Sequence, residues 1–189
     1  MKRLSWKYVA GLIDGEGCID FQFSYHKDYP GRPYVRPRCR ISMSEPAKFL
    51  LDMFYENFGG DHHILKRSFN NPNWANAYCW GLHGKKLRPF LQNIVNHLFL
   101  KKEQARFAIW AIDNIMGKHV SNELRELLKY EMKAMKRDSH RLSETAVRKL
   151  KDKYYTWSPY SNYCLQCFSC DVKHEAKGYC QTCYNALMR

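Results

Sequence analysis

No run of apolar residues in this 189-residue sequence approaches the ~20 that a membrane-spanning helix needs. Insertion into a bilayer is therefore not expected. The opening Met-Lys-Arg-Leu-Ser-Trp-Lys is charged but leads into no apolar signal core, so the protein is expected to work in the compartment where it is made. Cysteine is sparse over most of the chain. Cys18, Cys39 and Cys79 stand alone, and the remaining five crowd into residues 164–183. A secreted disulfide framework would spread its cysteines. An intracellular, reducing compartment is expected instead: a bacterial or phage-infected cytoplasm, or an organelle. Acidic residues are scarce as well, with Asp plus Glu at 18 against Lys plus Arg at 31, a formal net charge of +13. Such an imbalance attracts a polyanion: nucleic acid, an anionic membrane or an acidic partner. Finally, the first half of the chain has no copy in the second.

What is present is periodic. Ser5 can cap a helix running from Trp6 to Ile13, on which Val9, Leu12 and Ile13 form an apolar face. Asp14 to Gly17 reads as a turn. From Cys18 to Tyr25 the chain alternates, with Ile19, Phe21, Phe23 and Tyr25 on one side and Asp20, Gln22 and Ser24 on the other, as a half-buried strand requires. Arg32 to Met43 again has period two, and Pro33 and Pro37 within it predict an irregular or edge strand. A helix is expected over 45–58, stopped by Gly59-Gly60. Strands are expected over 62–69 and 77–83, then helices over 86–96, 102–116 and 122–135. A basic turn, Lys136 to Arg141, precedes a last helix over 143–155 that Ser143 can cap. The order αββαββα followed by helices places the chain in the α+β class, with one four-stranded antiparallel sheet. The expected organisation is a core over 1–156, a linker over 157–163 and a small cysteine-rich module over 164–189.

The segment Val9-Ala-Gly-Leu-Ile-Asp-Gly-Glu-Gly17 resembles the signature of the LAGLIDADG homing endonucleases, with Val for the first Leu and Gly-Glu for Ala-Asp. Leu100-Lys-Lys-Glu-Gln-Ala105 resembles the family's lysine-bearing segment, and Ser143-Glu-Thr-Ala-Val-Arg148 a helix start near the C-terminus of single-motif members. The resemblance covers residues 4–155. It implies a sheet that forms a saddle over the DNA major groove, and an endonuclease that makes a site-specific double-strand break with Mg²⁺ or Mn²⁺. An RNA maturase, or a DNA-binding regulator that does not cut, is the alternative on the same scaffold.

The physics of the motif stands beside the name. Ala10 and Gly11 lack bulk, so a second helix can approach closely. An acid just after such a helix, together with carbonyls at the helix end, makes a hard-oxygen cation site. Two such helices side by side bring two acids together, a geometry suited to two metal ions flanking a phosphodiester. The chain has one motif, so the second acid should come from a second chain. A homodimer on a roughly palindromic double-stranded site follows, with Val9, Ala10, Gly11 and Leu12 at the interface. By resemblance Glu16 is the metal ligand, the Gly15 carbonyl supplements it, and Asp14 closes the helix end through hydrogen bonds. Lys101 would polarise metal-bound solvent or stabilise developing charge, with Lys102 as the other match. Met43 stands where some members carry a water-positioning glutamine. Methionine is a poor substitute, which leaves Ser42, Ser44 or no side chain for that role.

The polar faces of the first strands supply DNA-binding candidates: Gln22, Ser24 and His26, then Arg32, Tyr34, Arg36, Arg38 and Arg40. Arginine can bond guanine O6 and N7 bidentately, and glutamine can read adenine. His63 and Arg67 extend the face on the third strand. Lys136, Arg137, His140 and Arg141 read as phosphate contacts, as do Arg148, Lys149, Lys151 and Lys153. In the last module Cys167-x2-Cys170-x9-Cys180-x2-Cys183 offers four thiolates to a tetrahedral Zn²⁺, with Cys164 an alternative in the first pair and His174 a weaker ligand. Lys177 to Tyr184 resembles the second half of a treble-clef or ribbon finger, which zinc would fold.

Overall fold

The first helix, α1 (Trp6–Glu16), begins where its cap predicts: Ser5 is extended and its Oγ accepts the Tyr8 N–H at 3.3 Å. It does not stop at Asp14. It runs through Glu16, and the Gly17 N–H donates to the Ile13 carbonyl as Gly17 opens the next strand with no connecting residue. The computed structural model describes residues 3–26, 29–65, 76–118, 120–138, 174–176, 179–180 and 185. Within them follow β1 (Gly17–His26), β2 (Tyr29–Ser44), α2 (Lys48–Phe58), β3 (Asp61–Leu65), β4 (Ala77–His83), α3 (Leu87–Ile94), α4 (Lys102–Asn114) and α5 (Asn122–Asp138). A short hairpin, β5 (His174–Ala176) with β6 (Tyr179–Cys180), comes later. The α+β class and the four antiparallel strands are as expected; the strand order is β1-β2-β4-β3.

Alternation sorts the sheet into two faces. Ile19 and Phe21 of β1, Val35, Cys39 and Ile41 of β2, and Trp80 and Leu82 of β4 are buried on the face that carries the helices. Val9 and Ile13 of α1, Leu51 and Phe54 of α2, Leu91 of α3, Phe107 of α4 and Leu128 of α5 join them in one cluster. Trp80 anchors it. Its ring lies edge-on to Phe54 at 5.0 Å, and its Nε1–H donates to the Gly59 carbonyl at 2.7 Å, so the polar end is satisfied inside the core.

Three expectations are corrected here. Strand β2, expected to be irregular or an edge, is central, and the irregular alternative is the one that stands: its register with β1 shifts between Ser24 and His26. Its pairing with β4 spans only Arg38 to Ser44, however, while Pro33 and Pro37 precede that stretch and have no partner on that side among the described residues. A missing N–H there breaks no bond to β4. Lys136 and Arg137 are not in a turn but in the last turn of α5, where cations suit the helix dipole. A 3₁₀ turn, Glu45–Ala47, replaces the start expected for α2. The helix expected over 143–155, the end of the strand expected over 62–69, the linker, and all of the cysteine module but the hairpin and residue 185 lie outside the described residues.

Candidate acid site and nucleic-acid interface

Glu16 is the last residue of α1 and is exposed, as is Gly15 before it. Asp14 was expected to close the helix end through hydrogen bonds. Its carboxylate accepts two backbone N–H groups, both from the segment ahead of α4: Phe99 at 2.7 Å and Lys101 at 2.9 Å. The Lys101 ammonium returns the contact by donating to the Asp14 carbonyl. One aspartate thus ties two distant segments together and holds a lysine at the helix end that carries Glu16. Lys102 opens α4 itself.

The donors at this helix end, a carboxylate and a backbone carbonyl, are hard oxygens of the kind that divalent ions prefer. Nothing lies within 4 Å of where a Gly15 side chain would start, so the approach is open. Among the described residues no three His, Cys, Asp or Glu side chains converge.

The four expected interface residues divide. Val9 and Ala10 are fully buried in the chain's own core and cannot meet a partner, because the 3.6-residue period turns them toward the sheet. Gly11 is exposed and Leu12 partly so, one turn from exposed Tyr8 and Gly15. The outward stripe of α1 is therefore Tyr8, Gly11, Leu12 and Gly15.

The second face of the sheet carries the polar set. Cross-strand partners are Ser24 with Tyr34, Gln22 with Arg36, and Asp20 with Arg38. Ser42 and His63 flank Cys79 of β4, which puts His63 on the same face. A concavity of about 340 Å³ is lined by Gln22, Arg36, Arg38, Arg40, His63 and His83, among others. His26 and Arg32 are strand residues by backbone. Met43 pairs with Tyr78 and is packed half-buried against the core, so it points away from this face, while Ser42 and Ser44 are exposed. Arg67, His140, Arg141, the basic residues of 148–153, and Cys164, Cys167, Cys170 and Cys183 lie outside the described residues.

Asp20 was read only as a polar strand position, yet it organises the face. Arg38 Nε donates to its Oδ1 at 2.6 Å and Nη2 to its Oδ2 at 3.3 Å; Arg40 Nη2 reaches Oδ2 at 3.3 Å. From α5 the Lys136 ammonium lies 3.9 Å from Oδ2 and 3.2 Å from Cys18 Sγ. Burial opposes ionisation of Asp20, but the bonds and charge of Arg38, helped by Lys136 and Arg40, overcome it and hold the carboxyl below its usual value. The same pairing raises Arg38. The signal was available in part, since Asp20 shares its period with Gln22 and Ser24, but its partners are 18 and 20 residues away.

No protein-family model matches the chain. The DNA endonuclease I-CvuI of Chlorella vulgaris is 25% identical over 113 residues, 60% of this chain and 66% of that protein, so the match spans just under two thirds of its length. The crystal structure of the homing endonuclease I-CvuI in complex with its target, in the presence of Ca, aligns at 20% identity with a TM-score of 0.48, covering 78% of this chain and 92% of that one. An archaeal intron-encoded homing endonuclease, I-Vdi141I, complexed with DNA, aligns at 17% identity with a TM-score of 0.42, covering 78% and 77%.

Proposed function

We propose that this chain is a homing-type, site-specific DNA endonuclease that hydrolyses both strands of a long, roughly palindromic target as a homodimer. The observation that carries this reading is the end of α1. An exposed Glu16 stands there beside a lysine tethered by Asp14, next to a sheet whose outer face is lined with arginine. The chain would hold a divalent ion, Mg²⁺ or Mn²⁺, through the Glu16 carboxylate and the Gly15 carbonyl. That ion, when bound, supplies Lewis-acid polarisation of the phosphodiester. Lys101 places a positive charge where negative charge develops as the bond to phosphorus breaks. Gln22, Arg36, Arg38 and Arg40 bind base edges, and Lys136 and Arg137 add phosphate contacts.

Cleavage of a randomised-site plasmid library with Mg²⁺ tests this. Linearisation of a palindrome-like subset is expected. Binding without cutting in Mg²⁺ and in Mn²⁺ would overturn it, and preferential binding of structured RNA would favour the maturase alternative.

The dimer is proposed to form along the outward stripe of α1. Nothing lies within 4 Å of where a Gly11 side chain would start, so Gly11→Val should leave the single chain folded. Two helices in close contact there would be forced apart, and dimer affinity should fall about tenfold or more, as overpacking typically does. Sedimentation equilibrium reads this; an unchanged dimer constant would move the interface elsewhere.

The C-terminal module is proposed to bind one Zn²⁺ through Cys167, Cys170, Cys180 and Cys183, with Cys164 as the alternative in the first pair. In support, Cys180 ends a short antiparallel hairpin opposite His174, and residue 185 is helical. Both suit a zinc knuckle that leads into a helix. Elemental analysis of purified protein should find one zinc per chain, lost in Cys180→Ser; no zinc in the unaltered protein would sink the assignment.

A further inference from the structure

We propose that Asp20 is a positioning residue for base recognition, holding Arg38 by one edge of its guanidinium so that the other edge faces a guanine. This rests on the DNA-reading role proposed above. Register puts Asp20 directly opposite Arg38 and one diagonal from Arg40. The carboxylate engages Arg38 through Nε and Nη2, which is the lateral edge of the guanidinium. The end-on edge, Nη1 with Nη2, keeps the parallel donors that match guanine O6 and N7. An unheld arginine must surrender the freedom of a long side chain on binding, whereas a held one has already done so.

The placement of the acid supports this over a merely structural ion pair. A carboxylate on a DNA-facing sheet repels phosphate, so an acid there works against the proposed role unless it is neutralised. Asp20 is neutralised from two sides, by Arg38 and Arg40 along the sheet and by Lys136 from α5. Its side chain is 15% exposed, against 29% for Arg38 and 42% for Arg40. The neighbouring pair offers an internal control: the cross-strand partner of Arg36 is Gln22, not an acid.

The test is selection of bound duplexes from a randomised DNA pool by the full chain, comparing wild type with Asp20→Asn, Arg38→Ala, Gln22→Ala and the double variant Asp20→Asn/Arg38→Ala. Asp20→Asn should weaken guanine preference by about tenfold, the scale of one bidentate contact. The loss should fall at the positions that Arg38→Ala also relaxes, while positions set by Gln22 keep their preference. Non-specific binding should hold or rise, because a negative charge has gone. The double variant should match Arg38→Ala alone. An Asp20→Asn profile equal to wild type, or relaxed evenly at every position, overturns the proposal. Should Asp20→Asn not fold, Asp20→Glu serves in its place: the longer acid should shift the same positions and no others, and an unshifted profile counts against the proposal. A wild type that selects no duplex sequence refutes the DNA-reading role itself, and this inference with it.

Discussion

Glu16→Gln should abolish cleavage and spare binding. The expected loss is about 10³-fold, because a metal ion at a phosphodiester contributes several kcal/mol of transition-state stabilisation and each 1.36 kcal/mol is a factor of ten. Folding should be unaffected, since Glu16 is exposed at a helix end and contributes nothing to the core. Glutamine keeps the size of the side chain and removes the charge that would hold a divalent ion. Target affinity should hold or improve slightly, because the lost charge is of the same sign as phosphate. The contrasting variant is Asp14→Asn. Asp14 bonds backbone N–H groups of Phe99 and Lys101, so this change should loosen the Lys101 segment and lower both stability and rate. Side-by-side rates and thermal midpoints separate the two roles. Cleavage by Glu16→Gln within threefold of wild type would remove Glu16 from the chemistry.

Much of the architecture was legible because the sheet is half-buried. A strand with one wet face writes period two into its sequence, and β1 does so over Ile19 to Ser24. The start of α1 was legible because a cap is a local device: Ser5 needs only the Tyr8 N–H three residues on. Its end was not. Asp-Gly-Glu-Gly has the composition of a turn, and what accompanies its helical conformation is a set of bonds from Asp14 to residues 85 and 87 positions away. The centrality of β2 was hidden for a related reason. Prolines forbid a two-sided ladder only where a second strand is present, and sequence alone does not say that β4 stops at Arg38. The small residues Ala10 and Gly11 both suit close packing, but only the assembled core shows that Ala10 faces inward and Gly11 outward. Asp20 was the largest omission in the candidate site. Its neighbours are set by strand register, which one strand's pattern does not reveal.

The junction between α1 and β1 depends on a missing side chain. A Cβ on Gly17 would lie 2.7 Å from the Ile13 carbonyl oxygen and 2.8 Å from the Ile13 Cα, both backbone atoms that cannot rotate away. The backbone of Gly17 is not in the left-handed region, so the requirement is space and not conformation. Gly17→Ala must therefore push the last turn of α1 off the start of β1. That strains the Gly17 N–H bond to Ile13 and disturbs the packing of a fully buried Ile13. A loss of about 3 kcal/mol is expected, at the upper end of ordinary overpacking. For a chain of this size that lowers the thermal midpoint by roughly 6–12 °C. Cleavage should fall as well, even well below the midpoint, because Glu16 is the residue immediately before the displaced bond and catalysis tolerates little misplacement of its ligands. Gly11→Val and Gly15→Ala, where the same construction meets nothing within 4 Å, should show no such drop in the stability of the single chain. Thermal melts of the three variants, taken with cleavage rates at a temperature where all are folded, decide the matter. A Gly17→Ala protein that melts with wild type would mean that helix and strand can separate by several tenths of an ångström without penalty, and Glu16 would then lack the rigid seat that the proposed chemistry requires.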